Sequence, residues 1–588
     1  LAADVVMSLR PISSAPRRGE FITRRLNGGL NYSFEFGLTS SELRDCGDVD
    51  LSPSGAICSR RALTPFTTCD LGQRVVGSWV WQDILGHDHI FAVMANGEIR
   101  VATDGAACFS VSVFATMVDA NSRCTPHAWS AGGWLYVSDG YKVWRWGGTG
   151  FPTYNVVTSV LVHGTGDDTV TNLGVPPNCA ATVYRDTVFI ADTLVYMTDP
   201  DALWWSAPVA EQPSLGGIIA GQEDYYINRR ITYISGPQSD RLNHLVAAGP
   251  TLYAFKRHSV HVLATNGDTV LTNDLASNVG LAGPNAYAVH NQSVWFFDEH
   301  DGLHLIEGSS LPVKVFDPIW PLLDCKEIIH PELIAVGYDG NKVFVSCCTD
   351  GAAQNNTTFV LDTSLQSTTR GGAWTRWEIG FSSFVRWQPQ AGDSSLVGFT
   401  TNERGGVYGA VRLNECSDAI VDNYGFATRE FHPWFTTAFF DDGLPTLTKR
   451  FERVALTVSG SDRVVLDVAA YTGAKPSTST RCELPARNQP SLKAGGNGTI
   501  DVDLTERLCD DPTSTPLCDT DSRGVTYDNG VVFCGTATGD GPTQERVVRV
   551  ASPGKGIMFA VTVTDVDSEA AWCVEELDVK YAAIVEYS

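Results

Sequence analysis

The sequence predicts an all-β protein: a β-propeller of about seven blades followed by a C-terminal β-sandwich-like domain. Three observations predict it. Apolar residues alternate with a period of two nearly everywhere, in short runs rich in aromatic and β-branched side chains and bounded by Gly, Asn and Asp. A strand–turn–strand kernel recurs at near-constant spacing, and that pattern stops after Ala410. Of the 588 residues 43% are hydrophobic, which excludes wholesale disorder. No apolar run approaches the ~18 residues of a membrane-spanning helix.

Residues 1–70 read as an N-terminal arm with lead-in strands. Leu1 to Arg25 holds several Arg residues but no apolar stretch of the kind a secretory signal needs, and the chain's lack of an initial Met suggests numbering from within a longer or processed product. Arg17, Arg18, Arg24 and Arg25 suit either a solvated arm or docking onto an acidic neighbour. Asp45, Asp48 and Asp50 ahead of Gly55 faintly suggest a calcium loop. The Gly is misplaced and the closing bidentate Glu is absent, so a solvated turn is the better reading.

Residues 71–412 carry the propeller expectation. The kernels are Ile90–Ala102, Trp134–Trp146, Thr187–Met197, Leu252–Ala264, Val294–Ile306, Val343–Leu361 and Leu396–Ala410. The first and last begin 306 residues apart (396 − 90), a mean step of about 51, close to the spacing of propeller blades. Asn96-Gly97 and Asp139-Gly140 separate paired runs and predict type I′ turns. Two kernels share a charged turn: Tyr253-Ala-Phe-Lys-Arg-His-Ser-Val-His-Val-Leu and Trp295-Phe-Phe-Asp-Glu-His-Asp-Gly-Leu-His-Leu. A four-stranded blade cannot bury both its faces alone, so such blades stack radially.

Residues 413–450 read as connecting strands, and 451–588 as the β-sandwich, with alternating runs at Val464–Ala469, Glu545–Val550, Gly556–Val563 and Glu576–Val585. Between them 475–541 is polar, acidic and Pro/Gly-bearing, the pattern of a long loop or elaborated tip.

Charge constrains partners. With 42 Lys+Arg against 67 Asp+Glu the net charge is −25, the wrong sign for a protein whose task is to hold a nucleic acid. The 15 cysteines are an odd number without CxxC spacing; they fit buried thiols on strands, or a few disulfides in the last 110 residues, where Cys482, Cys509, Cys518, Cys534 and Cys573 gather. No nucleophile elbow, P-loop, zincin or dinucleotide fingerprint occurs. His87/His89 and His258/His261 are the closest His pairs; with no carboxylate motif around them, exposed hairpin ends are the better reading for His87 and His89 than a metal site. Propellers host glycosidases, yet Ser138–Trp144 resembles a sialidase Asp-box only loosely, and an Asp-Gly hairpin turn explains it. Arg229-Arg230 after Tyr225-Tyr226 suits base stacking or, better in an acidic chain, a contact between blades or subunits. The expectation is a protein that is not an enzyme, with no catalytic, cofactor-binding or metal-binding residue assigned.

Read in order, several phrases resemble the tail nozzle and tail tube proteins of short-tailed bacteriophages, a propeller-bearing family. The opening Leu26-Asn-Gly-Gly-Leu-Asn and the stretch Asp45 to Phe66 are similar to the start of that family, with Ala62 at a usual Gly and Cys58 interrupting a basic run. Tyr184–Thr193 with Leu203-Trp-Trp-Ser, then Leu252–Ala264, resemble successive blades. So do Val279-Gly, Asn285–Val289, Val294–Phe297 and Gly302–Gly308. Phe359-Val-Leu-Asp with Trp374-Thr-Arg-Trp continues the series, and Thr448–Val454 resembles the passage into the C-terminal sandwich. The resemblance implies a virion protein in a homo-oligomeric, commonly hexameric, ring at the distal end of a phage tail. Such a ring sits below an adaptor protein, carries or contacts tail fibres or spikes, and closes the tail lumen. Genomic DNA passes through it without specific binding, and contact with the host surface is possible. A low-cation chain suits a conduit, since it repels phosphate. The alternatives are a tail hub or receptor-binding protein of a longer-tailed phage, with 475–541 touching the host, and, less favoured, a propeller glycosidase.

Overall fold

The computed structural model describes residues 20–24, 28–32, 41–111 without 53, 125–148 without 132, 141 and 142, 154–155, 178–193 without 186, 201–205 and 231–234. It further describes 240, 242–365 without 267 and 268, 373–389, 394–413, 419–439, 448–484 without 461–463 and 473–475, 524–527, 530–533, 544–556, and 559–583 without 567, 569 and 570. The chain divides into two compact units, one of Leu30–Ser33 with Arg60–Phe431, the other of Leu1–Gly29, Phe34–Ser59 and His432–Ser588. The division therefore runs differently from the expected 1–70, 71–412, 413–450 and 451–588. Residues 34–59 share a unit with the C-terminal strands.

The larger unit is a seven-bladed propeller of four-stranded antiparallel sheets. Blade 1 is Val75–Gln82, Asp88–Met94, Ile99–Thr103 and Ser110–Val111. Blade 2 is His127–Ala131, Trp134–Ser138, Val143–Trp146 and Tyr154–Asn155; blade 3 is Asn178–Tyr184, Thr187–Thr193, Ala202–Trp205 and Ile231–Tyr233. Blade 4 is Leu242–Ala248, Thr251–Lys256, Ser259–Asn266 and Thr269–Ser277; blade 5 is Tyr287–His290, Ser293–Asp298, Gly302–Glu307 and Val313–Lys314. Blade 6 is Ala335–Asp339, Lys342–Cys347, Thr357–Asp362 and Ala373–Trp377. Blade 7 takes Phe381–Trp387, Ser395–Thr400 and Ala410–Arg412 from late in the unit and its fourth strand, Thr64–Pro65, from the start. That exchange closes the ring and removes an open sheet edge.

The seven kernels correspond to the middle strands of the blades. Thr187–Met197 is the exception, because its second strand is Ala202–Trp205 while 194–197 lie outside the described residues. The middle strands are legible because they are buried on both faces: Ile90, Phe91, Ala92 and Val93 are all fully buried. Their side chains fill the gaps between neighbouring blades. Trp81, Phe91 and Val93 of blade 1 pack with Leu135, Val137 and Trp146 of blade 2. Phe255 of blade 4 meets Phe296 of blade 5 at 5.1 Å between ring centroids. Each fully buried Phe of this kind contributes roughly 1.5–3 kcal/mol in transfer from water.

The turn at Asn96-Gly97 differs from the type I′ expectation. The Gly97 N–H donates to the Met94 carbonyl and the Met94 N–H to the Glu98 carbonyl, so Ala95 and Asn96 are the central pair. Gly97 alone takes a left-handed φ of 86°. This is the three-residue hairpin loop, in which Gly follows a right-handed turn and forms a bulge. The Asn96 side chain accepts the Glu98 N–H and needs no left-handed backbone itself.

The second unit is a β-sandwich. One sheet runs Val49–Leu51, Ile57–Ser59, Trp572–Ala583, Lys449–Gly460 and Gln544–Gly556, with Glu20–Arg24 also pairing onto Trp572–Ala583. In the other, Glu42–Gly47, Trp434–Thr437, Ala560–Asp565, Val464–Tyr471 and Pro476–Leu484 lie side by side. Val454, Leu456, Leu577 and Val579 of the first sheet are buried, as are Leu466, Val468, Val561 and Val563 of the second. Phe451 and Phe559 join the sheets, 4.7 Å between centroids. Part of the expected 475–541 loop is thus strand: Pro476–Leu484 pairs with Val464–Tyr471, and Gly524–Tyr527 forms a hairpin with Gly530–Phe533. Residues 485–523 and 534–541 lie outside the described residues.

Among the described residues two disulfides occur, Cys58–Cys573 in the sandwich and Cys69–Cys108 in the propeller. Of these four cysteines, Cys573 alone belongs to the C-terminal group for which the sequence suggests bridges. Cys347 and Cys348 are buried free thiols. Burial pushes both up, Cys348 to about 12, so neither is a nucleophile.

Candidate functional site

The first strands of neighbouring blades line a central cavity of about 520 Å³. Its wall includes Trp79, His127, Cys179, His244 and Tyr287, one from each of blades 1 to 5. At one end the segment between blades 4 and 5 crosses the axis. Asn285 donates through Nδ2 to the Val76 carbonyl of blade 1 (2.8 Å) and the Ser382 carbonyl of blade 7 (3.1 Å). Its own carbonyl accepts the Val336 N–H of blade 6. Asn285 thereby ties the segment between blades 4 and 5 to blades 1, 7 and 6.

The joint between blades 4 and 5 is polar as well as aromatic. His244 Nε2 and the Tyr287 hydroxyl are 2.7 Å apart. Burial holds His244 down at about 4, with His127 across the cavity acting in the same direction, and burial pushes Tyr287 up to about 12. Both are neutral at pH 7. His244 takes up a proton in the folded chain only well below the ordinary 6.5 of an unfolded histidine. The stability it carries is therefore complete above pH 6.5 and is lost as the pH falls towards 4. His244 is only partly buried against the cavity, so solvent screens part of this and the loss is at most about 3 kcal/mol. Replacing it, His244→Gln, is expected to shrink the gap between urea stabilities measured at pH 7 and at pH 4.5; an unchanged gap would show that His244 protonates freely.

At the mouth of the cavity the charged turns of blades 4 and 5 meet. Arg257 grips Glu299 through Nε (3.0 Å) and Nη2 (2.7 Å), both to Oε2. That contact holds the guanidinium above its usual value. Beside it stand His258, whose Nδ1 is 3.6 Å from Glu299 Oε1, and His300, whose Nε2 is 3.3 Å from the same oxygen. Among the described residues these are the three metal-capable side chains whose donor atoms converge within 4.8 Å.

The histidine pairs singled out in the sequence fare differently. His87 is partly exposed, as a hairpin end should be, and its Nδ1 meets Asp104 at 2.8 Å. His89, contrary to that expectation, is fully buried, because it lies on a middle strand, and is held by Thr103 and by Asp83. His261 turns to Asp274 (2.7 Å) and Ser259, away from His258. Asp45 and Asp50 fall on strands of different sheets, with Asp48 at the corner between them in a left-handed φ of 53°. Ser138 and Gly140 form a turn in which the Gly140 N–H donates to the Ser138 hydroxyl. Tyr225, Tyr226, Arg229 and Arg230 lie outside the described residues, as do Arg17, Arg18 and Arg25. The buried carboxylates serve turns: Asp240 accepts the His258 N–H and the Ser259 hydroxyl, and Asp298 accepts the N–H groups of Gly280, His300 and Asp301. The sequence does not announce the His258–Glu299–His300 grouping, because its members are far apart along the chain. Its one signal is the shared charged turn of the two kernels, which places equivalent residues on adjacent blades.

Fold and cavity together define the class: an all-β protein built on a seven-bladed β-propeller. No family model matches the chain, and no curated protein matches it by sequence. Among solved structures it is similar to BBS1N, crystallised with ARL6DN, at 8% identity and TM-score 0.36, over 61% of this chain and 99% of that one. The computationally designed Ika8 protein aligns at 10% identity and TM-score 0.28, over 60% and 99%. An extracellular domain of the one-component system BT4673 from B. thetaiotaomicron aligns at 10% identity and TM-score 0.36, over 87% of this chain and 63% of that one.

Proposed function

We propose that this is a structural, non-enzymatic protein of a bacteriophage tail, assembling as a ring, six copies by resemblance, at the distal end of the tail. The observation that carries the reading is the ordered series of nozzle-like phrases from Leu26 to Val454. Two features support it. Asn285 links the segment between blades 4 and 5 to blades 1, 6 and 7 at the hub, which suits a DNA passage enclosed between copies rather than within one. Six copies would bring 6 × −25 = −150 charges, which repel a phosphate backbone and keep it sliding. The same repulsion opposes assembly, so subunit contacts must be large, apolar or edge-paired.

In this reading the ring lies below an adaptor, bears fibres or spikes, and is part of the virion after assembly in the host cytoplasm. Disulfides are rare in reducing cytosol, so Cys58–Cys573 and Cys69–Cys108 would close once the particle is outside. The same disulfides suit the second reading, a tail hub or receptor-binding protein, equally well. Mass measurement and electron microscopy of the purified chain test the proposal. A closed ring near six times 63.6 kDa is expected, with antibodies against the chain labelling the tail tip of the phage. A strict monomer at all concentrations, or no labelling, would overturn it.

A further inference from the structure

We propose that His258, Glu299 and His300 form a zinc site that clips blade 4 to blade 5. Three donors with one open position make a His₂Glu set, a recognised zinc ligand combination. With metal–ligand distances of 2.0–2.1 Å, the edge of a tetrahedron is about 3.4 Å. The two nitrogens lie 3.6 and 3.3 Å from Glu299 Oε1, near that edge. They are too far for strong hydrogen bonds to it. The two imidazoles stack nearly parallel, at 8° and 6.0 Å between centroids.

The outer contacts hold Glu299 and the backbone of the two histidine-bearing turns in place. Glu299 is 9% exposed, and Arg257 occupies its Oε2 while leaving Oε1 to face the imidazoles. The backbone N–H of His258 is pinned by Asp240 and that of His300 by Asp298, both carboxylates buried. The side chains of His258 and His300 are 45% and 73% exposed, so a metal can enter and water can complete its shell. Arg257 puts one positive charge beside the site, and Asp240 and Glu332 act on that guanidinium as counter-charges. This inference is independent of the tail assignment, because it joins two blades of one chain.

The test is zinc titration of the full chain against a competing chelator, in a Cys325→Ser background that removes the exposed thiol. One zinc per chain is expected, with affinity falling at least about tenfold in Glu299→Gln and in the double variant H258A/H300A. Zinc should also raise the melting temperature of the parent chain and not that of the double variant. Cobalt in place of zinc should give a spectrum of nitrogen and oxygen ligation without a thiolate charge-transfer band. Zinc binding equal in parent and double variant, no zinc binding by the parent, or a thiolate band would each overturn the proposal. Both histidines are exposed, so the double variant is expected to keep the parent's circular dichroism; if it does not, Glu299→Gln and the cobalt spectrum decide.

Discussion

Replacing Asp422 by Ala is expected to destabilise the propeller unit by about 3–5 kcal/mol, the cost of leaving a buried charge without its partner. Arg60 and Asp422 both have fully buried side chains. They pair twice, Nη1 to Oδ1 at 2.7 Å and Nη2 to Oδ2 at 2.6 Å. Oδ1 also accepts the Leu63 N–H at 3.0 Å. The guanidinium lies 3.7 Å from the centroid of the Phe431 ring and 5.5 Å from that of Trp377. Removing the carboxylate strands a cation among aromatic rings and orphans a backbone donor. Urea unfolding followed by a probe in the propeller measures the effect. Arg60→Met combined with Asp422→Leu should recover most of the loss, because desolvating the pair offsets much of its attraction. If Asp422→Ala costs under about 1 kcal/mol, water reaches Arg60 and the pair is not an anchor.

How far the sequence disclosed this architecture depends on the length and separation of each element. The middle strands of the blades are five to eight residues in most sheets and buried on both faces, so their composition alone marks them. Outer strands such as Ser110–Val111, Tyr154–Asn155 and Val313–Lys314 are two residues long and carry no period. The strand that closes blade 7, Thr64–Pro65, contains a Pro, which ordinarily argues against a strand; it is tolerated here because the position is a sheet edge. Within the expected lead-in strands of 1–70, the stretch from Asp45 to Asp50 reads as a solvated turn, yet Glu42–Gly47 and Ile57–Ser59 are strands, because their partners, Trp434–Thr437 and Trp572–Ala583, lie too far along the chain for a local pattern to name. The Cys58–Cys573 bridge follows from the same long-range pairing, since the two residues face each other across antiparallel strands. The His258–Glu299–His300 grouping is half legible: the turns are visible as a shared phrase, but their adjacency needs the ring.

Truncating Phe66 to Ala is expected to cost about 3–5 kcal/mol, the range for losing a buried Phe and leaving a cavity. Phe66 follows the closing strand. Its N–H donates to the Ala410 carbonyl at 2.9 Å, and its ring, 5% exposed, meets Trp387 edge-on at 5.5 Å. Val75, Ile90, Val397 and Phe399 complete the cluster, so Phe66 packs with residues of both blade 7 and blade 1. The strand itself supplies only the Val411–Pro65 and Arg412–Thr64 pairs, and Pro65 has no N–H to give. Side-chain burial therefore adds to the few backbone bonds that close the ring, among them Phe66 N–H to the Ala410 carbonyl and Leu71 N–H to the Tyr408 carbonyl. The Cys69–Cys108 disulfide lies just beyond, tying the chain after the closing strand to the chain before blade 1's outer strand. Reduction of that disulfide and Phe66→Ala should then act more than additively on stability, since each leaves the other as the main restraint. Urea midpoints of the parent and of Phe66→Ala, each with and without reductant, make the cycle. A strictly additive result, or a Phe66→Ala loss below about 1 kcal/mol, would mean that the ring is closed by the first three strands of blade 7 packing on blade 1, without help from Thr64–Pro65.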